Sequence, residues 1–427
     1  MRKEAGHLSR WQAAGYGLMG LPLAFVALPL YVHWPNYFAR EFGISLSTLG
    51  ALLLATRFFD ALIDPFLGRL SDRLYKKSLH LLLTWSAAAG VLLAAGFALL
   101  FFPPSLAGIS SIGIVAGLLM LTYAAFSAIT LAHQSWGALL GGGALQQGRL
   151  LAWREGLGLL GVLLASTVPV VWGVHVLVVL LPILLALAWL AWRRAPKPAR
   201  AVNTEAPAHA WGPWRHVEFR CLWLVFLFNG IASAVPATLM LFFVQDRLQA
   251  PSNLEPVFLG GYFLSAAVSM PLWLSALRRW GLAKSWFAAM VLALGVFAWA
   301  GTLAVGDGLP FIVICALSGL AFGADLVMPG AMLAGFMVRT GDLGRMQGVY
   351  YGWWNFTAKL NLALAAGLAL PLLSLVGYAP GSRDPQAQQA LAMAYCVLPC
   401  VLKLMAATLL YGFFIRPHRI FITGANS

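Results

Sequence analysis

The chain has 427 residues, 61% of them hydrophobic and 10% charged, with a formal net charge of +14. Soluble domains carry about 25% charged residues, so this composition, with a mean hydropathy of +0.81, excludes a protein solvated by water alone. The basic excess points first to nucleic acid, but the position of the charges assigns it to membrane topology instead.

A basic start, Arg2 and Lys3, runs into an apolar stretch from Gly15 to Tyr37 without a small-residue cleavage site, which reads as a first membrane helix and not a removed leader. Crossing a bilayer takes about 20 apolar residues. Runs of that length recur at 15–38, 46–70, 79–101, 109–136, 151–173 and 175–193, and again at 219–245, 257–277, 284–305, 309–337, 348–376 and 388–415. The predicted organisation is an N-terminal six-helix bundle over 1–193, a polar, Ala/Pro-rich cytoplasmic linker over 194–217, and a C-terminal six-helix bundle over 218–427.

The charges check this count. With the N-terminus cytoplasmic, alternate loops are basic. The cytoplasmic segments then hold Arg2, Lys3 and Arg10; Arg69, Arg73, Lys76 and Lys77; Arg149 and Arg154; the linker cluster from Arg193 to Arg220; Arg278, Arg279 and Lys284; Arg339 and Arg345; and Arg416 and Arg419. Only Arg40, Arg247 and Arg383 fall on the other side, and Arg57, Lys359 and Lys403 fall inside spans. A miscounted helix would invert the pattern downstream of the error. It holds to the end, so both termini are expected in the cytoplasm of a bacterial-type inner membrane, with no nucleic-acid partner.

The second span carries the most informative segment, RFFDALIDPFLGRLSDR. Arg57, Asp60 and Asp64 are spaced by three and four and share one helix face. Ionisable groups in hydrocarbon are costly and face a partner or a hydrated cavity. One Arg with two Asp leaves a negative charge that a hard cation such as Na+ neutralises, or that a proton removes, since crowded carboxylates resist joint ionisation. The alternative is an Arg–Asp pair with a structural role only. Next come Gly68, Arg69, Asp72 and Arg73. Glycine permits close helix approach, and Asp72 suits the N-terminus of a neighbouring helix. This stretch resembles the cytoplasmic loop signature of the major facilitator superfamily, which implies that Gly68, Asp72 and Arg73 act in gating.

The pattern R-x-x-D-A-x-x-D-P-x-x-G, filled by Arg57, Asp60, Ala61, Asp64, Pro65 and Gly68, resembles the glycoside–pentoside–hexuronide:cation symporter family, of which the melibiose carrier is the familiar member. The resemblance implies an all-α membrane protein with the major facilitator fold, two bundles of six helices rocking about a central cavity, and Asp60 and Asp64 as the site of the coupling ion, H+ or Na+. Lys359, in WWNFTAKLNLALAAG, resembles the family's helix-eleven lysine in that cavity; Arg154, in WREGLG, resembles its substrate-contacting arginine or is a cytoplasmic anchor. Two departures weaken a galactoside-like substrate. The acid of helix one is replaced by Pro22, and that of helix four by His133, in TLAHQSWGAL, which either takes a proton or is a neutral histidine bonded to a backbone or Ser135 oxygen.

Trp136, Trp353 and Trp354 suit either sugar stacking or the membrane interface. Asp325, in GADLVMPGAM, is expected to pair with Arg339 or Arg345 or to line the pathway. Gln134, Asn229 and Asn355 suit substrate or interhelical hydrogen bonds, while Lys403 receives no function. Cys221, Cys315, Cys396 and Cys400 read as apolar packing residues. No nucleotide-binding loop or hydrolase motif is present, which speaks against an ATP-driven pump and against an enzyme. The expected protein is a monomeric, cofactor-free symporter of a small organic solute, sugar-type by resemblance. Its substrate contacts would be Lys359, Arg154, His133, Trp136 and Trp354. A lysophospholipid or organic-anion carrier, and a non-transporting sensor or scramblase, are the alternatives.

Overall fold

In hydrocarbon a backbone amide has no water to bond, so a spanning segment must satisfy its N–H and C=O groups internally, and long apolar runs become helices. The computed structural model describes residues 8–30, 34, 46–102, 112–198, 209–375, 377–378, 381–382 and 384–416. Arg2, Lys3, Arg40, Arg200, Arg383 and Arg419 lie outside them, as do the end of the first expected span and the middle of the linker.

The described residues form helices and no strand. In chain order these are α1 (Arg10–Leu28), α2 (Leu46–Lys77), α3 (Leu79–Phe101), α4 (Ile112–Leu139), α5 (Ala144–Trp172), α6 (Val174–Arg194), α7 (Val217–Arg247), α8 (Glu255–Val268), α9 (Met270–Ala300), α10 (Gly308–Arg339), α11 (Gln347–Leu375) and α12 (Pro385–Ile415). Among the described residues, nine helices are long and apolar enough on their own to cross a bilayer. The expected break between the eighth and ninth spans, near 278–283, falls inside α9. There Gly281 adopts φ 78° and ψ 174°, a backbone conformation open to glycine, and divides the helix.

The chain divides into two compact units, Met1–Pro213 with Met337–Phe356, and Trp214–Phe336 with Thr357–Ser427. The linker up to Pro213, the end of α10 and the first turns of α11 thus belong with the first unit. In the first unit α1 packs on α5, α2 on α4, and α3 on α4 and α6. Its core includes Tyr16, Phe25, Phe97, Tyr123, Trp136 and Trp192. In the second unit α12 packs on α7 and α9, around a core that includes Phe243, Phe258, Phe311 and Tyr395.

α2 shows how sequence orients a helix in lipid. Leu54, Phe58, Leu62, Phe66 and Leu70 recur every four residues and are all exposed, forming a stripe for acyl chains. Thr56, Asp60, Asp64, Ser71 and Asp72 are all buried against the protein. The polar residues are thus a deliberate inner face of a helix that is apolar outside.

Candidate functional site

Asp60 and Asp64 lie one turn apart on α2, 2% and 0% exposed. Ser127 of α4 donates its hydroxyl to Asp60 Oδ1 at 3.0 Å. Arg57 is exposed at the start of the motif, and it and Asp60 both lie within electrostatic reach of the Tyr123 phenol on α4. Asp60 therefore faces α4.

One turn further along, α2 meets the start of α11 at contact distance. A Cβ on Gly68 would lie 2.0 Å from the Gly348 carbonyl oxygen, and one on Gly348 would lie 2.2 Å from the Gly68 oxygen. Neither position has room for a side chain. Gly352, a turn later on α11, rests against the Asp64 carbonyl and Pro65 in the same way. Asp72 closes this crossing: its carboxylate accepts from Gly348 N–H at 2.7 Å and Val349 N–H at 3.1 Å, two of the amides that a helix N-terminus leaves without internal partners. Gln134 of α4 and Asn355 of α11 exchange a pair of amide hydrogen bonds, at 2.9 and 3.3 Å. Arg73 is exposed.

A second group surrounds Arg154 on α5. Its guanidinium pairs with Glu155, with Nε donating at 2.9 Å. Tyr16 and Tyr351 lie within its electrostatic reach. His133 is fully enclosed; its Nε2 is 2.8 Å from the Tyr16 carbonyl, and its ring stacks on the Tyr16 ring at 4.2 Å between centroids. This is the backbone-bonded arrangement. Trp192 meets His133 edge-on at 5.0 Å. Trp136 is also fully buried and donates to the Pro196 carbonyl. Trp354 is buried in the first unit, whereas Trp353, half-buried, donates to Ala210 and packs on Trp211. Lys359 is half-buried in the second unit.

Asp325 differs from expectation. Its partner is neither Arg339 nor Arg345 but Lys403, whose Nζ lies 2.8 Å from Oδ2. The reason is axial distance: Arg339 is fourteen residues further along α10, roughly 21 Å at 1.5 Å per residue. Lys403 donates also to Ser233 of α7, and Trp286 of α9 donates to Asp325 Oδ1 at 2.8 Å. A residue given no role from sequence is half of a buried ion pair. Glu155, Ser127 and Tyr16 were likewise not singled out; Glu155, beside the one arginine of WREG, was the most legible of them.

Twelve helices among the described residues, with an inner polar face on α2, define a polytopic membrane transport fold. The chain belongs to the MFS/sugar transport protein family, whose profile matches residues 13–416, a family of transporters and not of enzymes. No curated protein matches the sequence. Its structure is similar to that of a bacterial homologue of the iron transporter ferroportin in the outward-facing state, with a TM-score of 0.68 and 15% identity over 96% of this chain and 100% of that one. It is also similar to the E. coli fucose:proton symporter FucP (TM-score 0.62, 15% identity, 93% and 97% covered) and to the human organic anion transporter MFSD10 (0.61, 18%, 94% and 98%). At these identities the likeness shows the fold, the major facilitator fold.

Proposed function

We propose that the protein is an ion-coupled secondary symporter of a small organic solute, with Asp60 and Asp64 as the coupling acids. The observation that carries this reading is the pair of fully buried carboxylates one turn apart on the inner face of a helix whose outer face is a lipid stripe. Burying such acids is costly unless they have a use or a partner. The Ser127 hydroxyl bonds Asp60 in either protonation state, because a hydroxyl both donates and accepts. H+ is the simpler coupling ion; Na+ at the same acids is the alternative.

The resemblance to the glycoside–pentoside–hexuronide:cation symporters and the family's description support a sugar-type solute. Arg154 adds to this, since Glu155 already neutralises it and it is a weaker anchor for an anion than its charge implies. An organic anion or lysophospholipid remains the second reading, drawn by Lys359. Asp72 and the Gly68–Gly348 crossing, which sit directly below the acids, serve as the gating element. The basic loops support an inner-membrane location with cytoplasmic termini.

The test is uptake into proteoliposomes under an imposed proton or sodium gradient, with Asp64→Asn alongside. The variant is expected to lose gradient-driven accumulation while folding normally. Accumulation equal to wild type overturns the coupling role, and absence of any gradient-driven uptake by wild type, across sugars, organic anions and lysolipids, favours a non-transporting sensor or scramblase.

A further inference from the structure

Arg247 is one of the few basic residues that the loop pattern leaves on the side opposite the linker, and topology gives it no reason to be there. In the structure it lines a cavity of about 430 Å3 at the far end of the second unit, together with Gly301 at the end of α9 and the Pro385–Val397 stretch of α12. Among the described residues no carboxylate pairs with Arg247, and its Nε is buried without a hydrogen-bond partner. The neighbouring acids are engaged elsewhere. Asp246 accepts from the Tyr378 hydroxyl and the Gly381 amide, Glu255 from Gln245, Asp307 from the Ala304 amide and Asp384 from the Ala387 amide.

The two segments that frame the cavity share an uncommon winding. Phe243–Arg247 and Met393–Val397 are both π-helical turns, and Phe243 stacks on Tyr395 between them at 4.1 Å. Such turns are rare and concentrate at functional sites. From the cavity an apolar track runs along α12. Gln389, Met393, Val397, Val401 and Leu404 recur at three- and four-residue spacing, and all are exposed, Met393 at 55% and Val397 at 51%. An unneutralised guanidinium and an amide therefore sit at the head of a strip of methyl and thioether groups that faces lipid.

We propose that this cavity binds a membrane phospholipid, with its phosphodiester on Arg247 and Gln389 and an acyl chain along the Met393–Leu404 strip. Arginine offers a planar fork of donors matched to phosphate oxygens, and the strip continues the site into hydrocarbon, which a free anion does not need. The site is independent of the solute carried and of the acids on α2.

Native mass spectrometry of the delipidated full-length protein in detergent tests this, with thermal shift in parallel. The probes are dioleoyl phosphatidylglycerol, dioleoylglycerol with the same chains and no phosphate, and inorganic phosphate. Phosphatidylglycerol is expected to give a retained adduct and a raised melting temperature, and the other two neither. Arg247→Gln should lower the retained adduct about fivefold, as expected for one basic side chain at a lipid surface. Gln389→Glu, at an exposed position that leaves folding undisturbed, should lower it by a similar factor through repulsion. Equal retention by wild type and Gln389→Glu overturns the proposal. So does dioleoylglycerol binding as well as phosphatidylglycerol. Protection by inorganic phosphate alone replaces the lipid with a free anion and also overturns it.

Discussion

Both units bury acids, and the described neighbours of those acids differ. In the second, Asp325 is held by donors from three other helices: Lys403 of α12, Ser233 of α7 and Trp286 of α9. Lys403 is itself only 5% exposed, so a fixed positive charge matches the negative one inside the protein. In the first unit, Ser127 of α4 is one donor to Asp60, and Asp64 lies a turn away with its backbone carbonyl against Gly352. A carboxyl group beside a hydroxyl is compatible with two protonation states. If Asp60 and Asp64 are the coupling acids proposed above, the same chemical group is a fastener in one unit and a switchable element in the other.

The comparison is broken most severely at Lys403. Lys403→Met leaves Asp325 without its cation, bonded to the neutral donors Ser233 and Trp286, and should cost about 3–5 kcal/mol of stability. The double variant Lys403→Met/Asp325→Asn removes both charges and should recover most of the melting temperature in detergent. If the single variant melts like wild type, the pair is not a fastener. At Asp64 the expectation reverses. If Asp64 serves the coupling ion and not a fixed partner, Asp64→Asn should leave the melting temperature unchanged or raise it, while gradient-driven uptake disappears. A large loss of stability in Asp64→Asn would make both acids structural and end the contrast.

Much of this architecture was legible in the sequence, because in a bilayer length and apolarity decide what spans. The expected and observed helices agree within a few residues at most ends, and the charges of the loops gave an independent count. α2 was legible in finer detail because its acids, its glycine and its capping Asp72 lie within one short stretch. What was not legible depends on distant partners. Lys403 and Asp325 are 78 residues apart, and His133 meets the Tyr16 carbonyl across 117; no spacing rule reaches that far. The Arg154–Glu155 pair was missed for another reason. Adjacent residues do not face each other on a helix, so only the length of the two side chains brings them together.

The α2–α11 crossing sharpens the first unit's side of the comparison at lower cost. Gly68→Ala drives a methyl group into backbone, not into a flexible side chain, and should cost about 1–3 kcal/mol. Asp72→Ala leaves two helix-terminal amides uncapped, worth about 0.5–2 kcal/mol. If this crossing is the gate, both variants should also make a cysteine placed nearby on α11 more reactive to a thiol reagent. Loss of stability without a change in reactivity would make the crossing a packing contact only.

The smallest expected effect is at Gln134 and Asn355. Their two amide bonds join α4, which carries Ser127 beneath Asp60, to the first turns of α11, which carry the amides capped by Asp72. Both residues are half-buried, so water competes for them, and hydrogen bonds between membrane helices are weak, on average about 0.6 kcal/mol in double-mutant cycles. A cycle of Gln134→Leu, Asn355→Leu and the double variant should return a coupling near that size in stability. The informative quantity is where the coupling goes when the acid is neutral. If the acids and the crossing are one device, repeating the cycle on Asp64→Asn should change the coupling, because α2 lies against both α4 and α11. An unchanged value would mean that the amide pair holds the two helices together whatever the state of the acids. The switchable element would then end at α2.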